Sequence, residues 1–210
     1  MPARPRPDTG GTRSGPGQVR IIGGRWKRTP IAVPDRPGLR PTPDRVRETL
    51  FNWLGQDLAG WRVLDLFSGT GALGMEAASR GAAQVVMVER DPALVRAQRD
   101  LCERLDAMAV SCIQADVLHW LARPGSGAEV FDLILLDPPF GGIELMRALP
   151  DAIGRLSSHG LLYLEWGAPL TLTSPPLAEC EALSGFEMHR SGRAGQVHYH
   201  LLRRALPGAS

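Results

Sequence analysis

Residues 65–74, Asp-Leu-Phe-Ser-Gly-Thr-Gly-Ala-Leu-Gly, decide the fold of this chain. An apolar strand is predicted to enter this stretch over Arg62–Phe67, and a helix is predicted to leave it over Ala72–Arg80. Glycines at the carboxyl end of a strand, just before a helix, allow a ligand to approach the backbone closely. The spacing Gly-x-Gly-x-x-Gly, residues 69–74, matches the fingerprint of nucleotide-binding loops. The stretch therefore predicts a nucleotide site at a strand-to-helix turn.

Apolar runs and amphipathic segments alternate through the rest of the chain, which is typical of a parallel sheet covered by helices on both faces. Near the end, Phe186–His189 and Gln196–Arg203 are separated by a polar stretch at 190–195, so we predict a hairpin that adds an antiparallel C-terminal strand. The sequence thus predicts an α/β fold with a doubly wound, mostly parallel, seven-stranded sheet. The other predicted strands are Gln84–Glu89, Val110–Gln114, Phe131–Asp137 and Gly160–Glu165, and the other helices are Pro92–Leu105, Val117–Ala122 and Ile143–Leu156.

The amino-terminal quarter has a different character. Residues 1–18 are rich in Pro, Gly, Ser and Arg without periodicity and are predicted to be a disordered arm. Residues 19–57 are predicted to form a small β-hairpin, then a linker, then a helix that Thr42 caps, with Pro43 in its first turn. In that helix Val46, Leu50, Trp53 and Leu54 share one face. We expect residues 58–204 to be the catalytic domain and 205–210 to be a tail.

Charge is divided unequally between these regions. Residues 1–47 hold 11 Arg or Lys against three Asp, whereas the rest of the chain holds 13 basic and 19 acidic residues. A basic arm on a mildly acidic body suits a polyanion such as a nucleic acid, although a solvated tail has the same composition. Charge alone leaves both interpretations open.

The bulk composition excludes several classes of protein. No apolar run approaches the roughly 20 residues of a membrane span, and the amino terminus lacks the apolar core of a secretory signal. The three cysteines are odd in number and widely spaced, so that neither a disulfide framework nor a CxxC metal pair is expected. We expect a cytoplasmic protein with reduced thiols, and a monomer.

Asp65 distinguishes between two possible nucleotide ligands. A dinucleotide places its pyrophosphate at the helix amino terminus, where a nearby carboxylate would repel it. S-adenosylmethionine has no phosphate and carries a sulfonium and an ammonium, so Asp65 favours this methyl donor over NAD. A capping or turn carboxylate is the alternative role for Asp65. Glu89 closes the second strand of the sheet, 20 residues after Gly69, where the ribose of either ligand would be held.

The fourth strand of the sheet delivers Asp137-Pro138-Pro139-Phe140. Each proline biases the preceding residue towards an extended conformation, so the Asp137 carboxylate and the Pro138 carbonyl are held as hydrogen-bond acceptors. Phe140 offers a flat face on which a base can stack, and such stacking contributes roughly 1–3 kcal/mol to binding. Two acceptors that grip the hydrogens of an exocyclic amino group favour its pyramidal form, whose lone pair can attack a methyl carbon in line. We therefore predict amino-group methylation without a metal, with a simple strand-ending turn as the alternative.

Asp116 follows the third strand and has two compatible predicted roles. It is placed to accept a hydrogen bond from the adenine amino group of the donor, and it can cap the next helix. His198 and His200 share a face of one strand but lack a third ligand, so no metal site is predicted.

Four segments resemble the RsmD family of bacterial 16S ribosomal RNA guanine-N2 methyltransferases. The likeness runs from about Val19 to Arg203, and the segments are residues 39–54, the loop and helix at 65–82, Asp137–Phe140, and Gly195-Gln-Val-His-Tyr199. The resemblance implies a Rossmann-like class I methyltransferase fold, with S-adenosylmethionine as donor and a guanine amino group of small-subunit ribosomal RNA as acceptor, presented in assembled particles. The long amino-terminal arm lies outside the family pattern, and Ser68 stands where a smaller residue such as Ala is expected.

The residues expected at the site divide into three sets. Asp137, Pro138, Pro139 and Phe140 are the candidate catalytic set. The candidate donor-binding residues are Asp65, Phe67, Ser68, Gly69, Gly71, Ala72, Glu89, Arg90, Asp116 and Val117. The candidate RNA contacts are Arg20, Arg25, Lys27, Arg28, Arg40, Thr42, Arg45 and Arg47.

Other functions share parts of this pattern. The same machinery would methylate an adenine amino group in DNA or a side-chain amide in a protein. The Gly-rich loop taken alone would also suit an NAD-dependent oxidoreductase. A nucleic-acid-binding module without activity is a third possibility. The presence of all four acidic residues, Asp65, Glu89, Asp116 and Asp137, argues against it.

Overall fold

A computed structural model describes residues 17–34, 42–123, 129–138 and 143–205. Within these ranges the main sheet has seven strands in the order β5-β4-β3-β6-β7-β9-β8. The strands are Arg62–Leu66 (β3), Gln84–Glu89 (β4), Val110–Gln114 (β5), Phe131–Leu136 (β6), Leu156–Trp166 (β7), Phe186–Ala194 (β8) and Val197–Arg204 (β9). The first five are parallel, and β9 runs antiparallel to both of its neighbours. The predicted fold class is confirmed.

Helices join the parallel strands as predicted, with small differences at their ends. They are Ala72–Ser79 (α2), Pro92–Leu105 (α3), Val117–Leu121 (α4) and Ile143–Gly154 (α5). The structure adds two short 3₁₀ turns, at Leu177–Glu179 and Glu181–Leu183. None of the helices in the described residues is both long and apolar enough to cross a membrane.

Two strands are longer than the sequence predicted. β7 begins at Leu156 rather than Gly160, and β8 continues through Ala194 although residues 190–195 were predicted to be a connection. The side chains of that stretch are polar because β8 lies at the edge of the sheet and its outer face is exposed to solvent. The sequence pattern therefore did not predict a strand there. A register shift between Met188 and Arg190 accompanies the extension.

A small hairpin precedes the sheet, as predicted. Gly17–Arg20 (β1) pairs antiparallel with Pro30–Val33 (β2), so the first strand of the hairpin begins at Gly17 rather than Val19. A helix follows at Asp44–Leu54 (α1), with Pro43 at its N-cap position and no side-chain cap. The prediction that Thr42 caps this helix is wrong, because its hydroxyl bonds Asp137 instead. The predicted limits of the arm, the two domains and the tail remain predictions.

The core lies on both faces of the sheet. One face packs against β1, β2, α1, α2 and α3, and it includes Val63, Leu135 and Tyr163. The other packs against α4, α5 and the 3₁₀ turns, and it includes Leu64 and Leu136. Because side chains alternate along a strand, each strand supplies both cores, which explains the continuous apolar runs. The hairpin and α1 therefore cover the same sheet face that carries Asp65.

Candidate active site

The candidate site lies where the strand order reverses. β3 has β4 on one side and β6 on the other, and ligands of such sheets bind outside the carboxyl ends of the strands at this switch point. Asp65 of β3 is opposite Leu135 of β6. Asp137 lies two residues beyond Leu135 and so emerges on the same face as Asp65. The Gly-rich loop and the Asp137–Pro138 segment thus begin side by side.

Asp65 is buried at the start of the Gly-rich loop. Its Oδ2 accepts a hydrogen bond from the backbone N–H of Gly74 at 2.9 Å, and the residue is 1% exposed. Burial is the main cause that raises the pKa of Asp65 to about 8, and the nearby Asp137 and Glu89 add to the rise. A carboxyl group in this environment ionises most readily when a cation comes close to it.

The backbone of the loop requires glycine at three positions. Gly69 and Gly71 have positive φ angles of 53° and 78°. A Cβ atom on Gly74 would lie 2.7 Å from Sδ of Met87 and 3.0 Å from Oδ2 of Asp65, so glycine allows α2 to pack closely on the sheet. Phe67 also has a positive φ, 63°, which is unusual for an aromatic residue and places a strained backbone at the site.

Gln98 of α3 supports this loop, and sequence reasoning missed it. Its Nε2 donates to Oγ of Ser68 at 2.9 Å and to the carbonyl oxygen of Gly69 at 2.8 Å. Gln98 is 1% exposed. Ser68, where Ala was expected, is thus accommodated by a hydrogen bond. The position of Gln98 on an otherwise apolar face of α3 was the signal in the sequence that could have identified it.

Glu89 closes β4 beside the loop, as predicted. Its Oε2 accepts from the backbone N–H of Gly69 at 2.9 Å, and its Oε1 accepts from that of Asp91 at 2.8 Å. Each carboxylate oxygen has a second lone pair. The carboxylate is therefore fixed at the rim of the loop with acceptor capacity remaining.

The other predicted donor-binding residues lie at neighbouring strand ends. Asp116 caps α4 by accepting from the backbone N–H of His119 at 3.1 Å, which confirms the predicted cap. Val117 and Ala72 are buried, and Arg90 is exposed. Donor contacts by these residues remain predictions.

Asp137 is held from a distant part of the chain. The Thr42 hydroxyl donates to its Oδ2 at 3.0 Å across a sequence separation of 95 residues. Burial raises the pKa of Asp137 to about 6, and the Thr42 hydrogen bond opposes that rise. Thr42 is 5% exposed, so this predicted RNA contact belongs to the interior of the site.

Glu165 is a further carboxyl group at the site that sequence reasoning did not single out. It ends the apolar run of β7, is 6% exposed and accepts a hydrogen bond from the Tyr163 hydroxyl at 2.8 Å. Burial, then the Asp137 charge, raises its pKa well above the ordinary carboxyl range. Glu165 could have been found from the sequence by the signal that identified Asp137, which is an acidic residue at the end of an apolar strand.

The predicted RNA contacts do not share one environment. Arg20, Arg25, Lys27 and Arg28 lie exposed on the hairpin, and Arg45 is exposed on α1. Pro138 is half-buried beside Asp137. Pro139, Phe140 and Arg40, which were also predicted at the site, lie outside the described residues.

The structure corrects the role of Arg47, whose side chain is fully buried. Its guanidinium donates to Oδ1 of Asp44 at 2.6 Å and to the carbonyl oxygens of Arg20 and Thr42 at 2.9 and 3.3 Å. It also lies 3.4 Å from Oε2 of the buried Glu76. A group with these partners has no surface for RNA, so Arg47 instead holds Thr42 in place.

Glu76 of α2 ties the hairpin to the helix that follows the Gly-rich loop, which the sequence did not indicate. Its carboxylate accepts from the backbone N–H groups of Ile22 and Gly23 at 2.7 and 2.8 Å. It also pairs with Arg80 at 2.8 Å. Buried carboxylates are stable when fully hydrogen-bonded in this way.

Comparison with known proteins agrees with this geometry. The family model described as Conserved hypothetical protein 95 matches residues 19–203. Ribosomal RNA small subunit methyltransferase D of Escherichia coli strain K12 is 39% identical over 199 residues, which cover 94% of this chain and 96% of that protein. The chain belongs to this family, known as RsmD. The resemblance predicted from the sequence is thus confirmed.

Solved structures extend the comparison. The E. coli protein yhhF is 34% identical to this RsmD-family chain, and the two structures align with a TM-score of 0.74. The alignment covers 90% of this chain and 99% of yhhF. SMU.776, solved in complex with SAH, is 18% identical, with a TM-score of 0.70 over 91% of this chain and 57% of that one. At that identity the second likeness shows the shared fold alone.

Proposed function

We propose that this protein transfers a methyl group from S-adenosylmethionine to the exocyclic N2 amino group of a guanine in small-subunit ribosomal RNA. One observation carries the proposal. Asp65 and Asp137 emerge on the same face at the carboxyl ends of adjacent parallel strands, so a donor held by the first strand would meet an acceptor held by the second.

The residues around the Gly-rich loop fit a cationic donor. The buried Asp65 carboxyl suits the positive charges of S-adenosylmethionine, and Glu89 stands at the rim with acceptor capacity for ribose hydroxyls. Gly69 and Gly71 keep the backbone open at the strand end. When bound, the donor supplies an electrophilic methyl group on a sulfonium. No group of three His, Cys, Asp or Glu among the described residues is arranged to hold a metal ion.

The Asp137 segment fits an amino-group acceptor. The carboxylate and the carbonyl of Pro138 are acceptors for the two amino hydrogens, and the Thr42 hydroxyl fixes one carboxylate oxygen. Such positioning and local charge stabilise the transition state more than the ground state. The nitrogen forms a bond to the methyl carbon as the bond between that carbon and the sulfonium sulfur breaks. The nitrogen then releases one proton, for which Asp137 is the nearest base.

Ribosomal RNA is the proposed partner for two reasons. The name of the E. coli relative describes a methyltransferase of ribosomal RNA, and the hairpin of this chain is basic. Arg20, Arg25, Lys27 and Arg28 are exposed there, on the element that also covers the catalytic sheet face. Exposed cations beside an active site are suited to contact phosphates.

The proposal is tested by incubating the protein with methyl-labelled S-adenosylmethionine and small ribosomal subunits from cells that lack the gene. We expect label in N2-methylguanosine of 16S RNA, identified by mass spectrometry of nucleosides. Label in an adenosine, in DNA or in a ribosomal protein would overturn the guanine assignment. Calorimetric titration with S-adenosylhomocysteine and with NAD tests the donor separately, and NAD binding would overturn that part.

A further inference from the structure

The hairpin of β8 and β9 reaches the edge of the sheet at which the candidate active site lies. β9 runs antiparallel to β7, and His198 near the start of β9 is opposite Trp166 at the end of β7. The turn between β8 and β9 therefore lies at the edge formed by the carboxyl ends of the parallel strands. Asp137 follows the end of β6 at that edge, so the turn and the candidate site share one side of the molecule.

A row of side chains leads from the candidate site across this edge. The pairing of β6 with β7 places Pro138, two residues beyond the end of β6, level with Trp166. Trp166 is opposite His198, and His198 is opposite Arg193 of β8. Because opposite residues in neighbouring strands point to the same face, Trp166, His198 and Arg193 form one row, which we call the edge row.

The edge row is accessible and long enough for several nucleotides. Trp166 and His198 are half-buried, and Arg193 is exposed. Neighbouring strands are about 4.8 Å apart, so the distance from β6 to β8 across the sheet is about 15 Å. A stacked strand of nucleic acid advances about 3.4 Å per nucleotide, so the row has room for about four nucleotides.

The hairpin that carries the edge row is strongly basic. Residues 188–203 contain three Arg and three His but no Asp or Glu. Arg203 pairs with Glu187 at 2.5 Å. Arg190 and Arg193 are exposed, and no carboxylate in the described part of the chain forms an ion pair with either of them. Each donates to a nearby backbone carbonyl oxygen, at 3.0 and 2.8 Å, so most of the N–H groups of each guanidinium remain for a ligand.

This hairpin is held in place by packing within the sheet and against α1. A Cβ atom on Gly192 would lie 2.4 Å from Cζ of Tyr199, so glycine is needed for the strand to lie against that ring. The Tyr199 ring also contacts Trp53 of α1, with the ring centroids 5.3 Å apart. Oγ of Ser191 is 3.1 Å from Nδ1 of His200. A strand of RNA would therefore meet a surface that is already formed, which lowers the ordering cost of binding.

We infer that the edge row and Arg190 bind the single-stranded RNA that flanks the target nucleotide. Unpaired bases stack on Trp and His rings and on Arg guanidinium planes, and exposed guanidinium groups bind phosphates. Aromatic rings combined with positive charge therefore suit an RNA strand, and the row starts beside the segment that holds the acceptor. The identity of the target nucleotide rests on the proposed function, whereas RNA binding by the edge row does not.

The RNA affinity of a hairpin without its exposed cations tests the inference. Arg190→Ala/Arg193→Ala should bind a fluorescent oligouridine RNA of about 12 nucleotides about tenfold more weakly. The slope of log affinity against log salt should become shallower by about 1.4, at about 0.7 for each phosphate contact. The control is Arg96→Ala/Arg104→Ala, whose side chains are exposed on α3 at the other end of the sheet, and it should bind like the wild type. Equal affinities and slopes in the two double variants would overturn the inference.

The stacking part of the edge row has a separate test. His198→Ala should bind the same RNA about fivefold more weakly, because one ring is lost from the row. His159, exposed on β7 at the opposite edge of the sheet, provides the control, and His159→Ala should bind like the wild type. Unchanged S-adenosylhomocysteine affinity shows that each variant is folded. If His198→Ala and His159→Ala bind RNA equally well, His198 is not part of the RNA path.

Steady-state methylation of small ribosomal subunits separates RNA binding from chemistry. In Arg190→Ala/Arg193→Ala we expect KM to rise about tenfold and kcat to stay within about twofold, since the edge row does not touch the reacting atoms. A fall in kcat with unchanged KM would overturn the inference. The same holds if this variant self-associates on size-exclusion chromatography but keeps its RNA affinity, because its cations would then only protect an edge strand from pairing. If the wild type methylates no guanine but RNA affinity falls in this variant, the proposed function fails and the edge row stands.

Discussion

The candidate site has two halves that are held together in different ways. The donor half is Asp65 with the Gly-rich loop, where we propose that the methyl donor binds, and the acceptor half is Asp137 with Thr42, where we propose that the target amino group binds. In the donor half, Asp65 accepts from Gly74 across nine residues of one strand–loop–helix unit. In the acceptor half, Asp137 depends on Thr42, which is 95 residues away. The first half is encoded within a short stretch, whereas the second requires that the amino-terminal segment be packed on the sheet.

This difference shows how the amino-terminal segment contributes to the site. Arg47 bonds the backbone of Thr42 and lies against Glu76 of α2, so one buried guanidinium links the acceptor half to the helix of the donor half. The hairpin that carries the exposed cations is fixed to the same Glu76. The proposed RNA surface, the proposed acceptor site and the helix after the Gly-rich loop therefore share one set of buried contacts.

Loss of Asp137 is expected to have the largest effect and to separate the two halves. Asp137→Ala should lower kcat by about 1,000-fold or more, since it removes both the amino-group acceptor and the nearest base. S-adenosylhomocysteine affinity should stay within a few-fold, because Asp65 and the loop remain intact. Single-turnover methylation and calorimetry measure the two quantities. Near-normal methyl transfer would remove Asp137 from the mechanism.

Removing the buried guanidinium should break the link between the halves. Arg47→Leu leaves the carbonyl oxygens of Arg20 and Thr42 without their buried donor and leaves Glu76 with Arg80 as its remaining cation, so we expect a loss of about 2 kcal/mol or more in unfolding free energy. The exposed Arg45 two positions earlier is the control, and Arg45→Leu should change stability by less than about 0.5 kcal/mol. Chemical denaturation measures both. If Arg47→Leu were as stable as Arg45→Leu and only bound RNA less well, the first assignment of Arg47 as an RNA contact would be restored.

A change confined to the donor half should leave the acceptor half intact. The added methyl group in Gly74→Ala meets Met87 and Asp65, so S-adenosylhomocysteine affinity should fall at least about tenfold. Gly154→Ala is the matched control, because a Cβ there has no neighbour within 4 Å. Equal affinities in the two variants would mean that close packing at Gly74 does not shape the donor site.

The pKa of Asp65 gives the donor half its own pH dependence. Since this pKa is raised to about 8 without ligand and a cationic ligand favours the ionised form, S-adenosylmethionine affinity should rise, by about tenfold, as pH increases from about 6 to about 8. Asp65→Asn should bind more weakly and without this slope. Titration at several pH values checks the sign, and affinity that falls with rising pH would contradict the role of Asp65.

The smallest effect is expected on the outer surface. Replacing Arg25, Lys27 and Arg28 together by Ala should weaken RNA binding several-fold and reduce the slope of log affinity against log salt by up to about three. Stability and S-adenosylhomocysteine binding should not change, since all three side chains are exposed. An unchanged salt slope would place the RNA path elsewhere.

Sequence reasoning succeeded where the physics is local and failed where it is not. The Gly-rich loop, the parallel strands and the Asp116 cap follow from periodicity and from neighbours a few residues apart. Arg47 was misassigned because a cation on a helix is usually solvated, and its burial depends on Glu76 from another element. The role of Thr42 was missed for the same reason, since the local cap pattern was present but a distant carboxylate competes for the hydroxyl.

A crystal structure of the protein with S-adenosylhomocysteine tests most directly whether the two halves form one cleft. We expect the ligand sulfur at the Gly-rich loop, within about 6 Å of the nearest Asp137 oxygen, as near-attack geometry for methyl transfer requires. A ligand bound at another edge of the sheet, or with its sulfur more than about 10 Å from Asp137, would contradict the account.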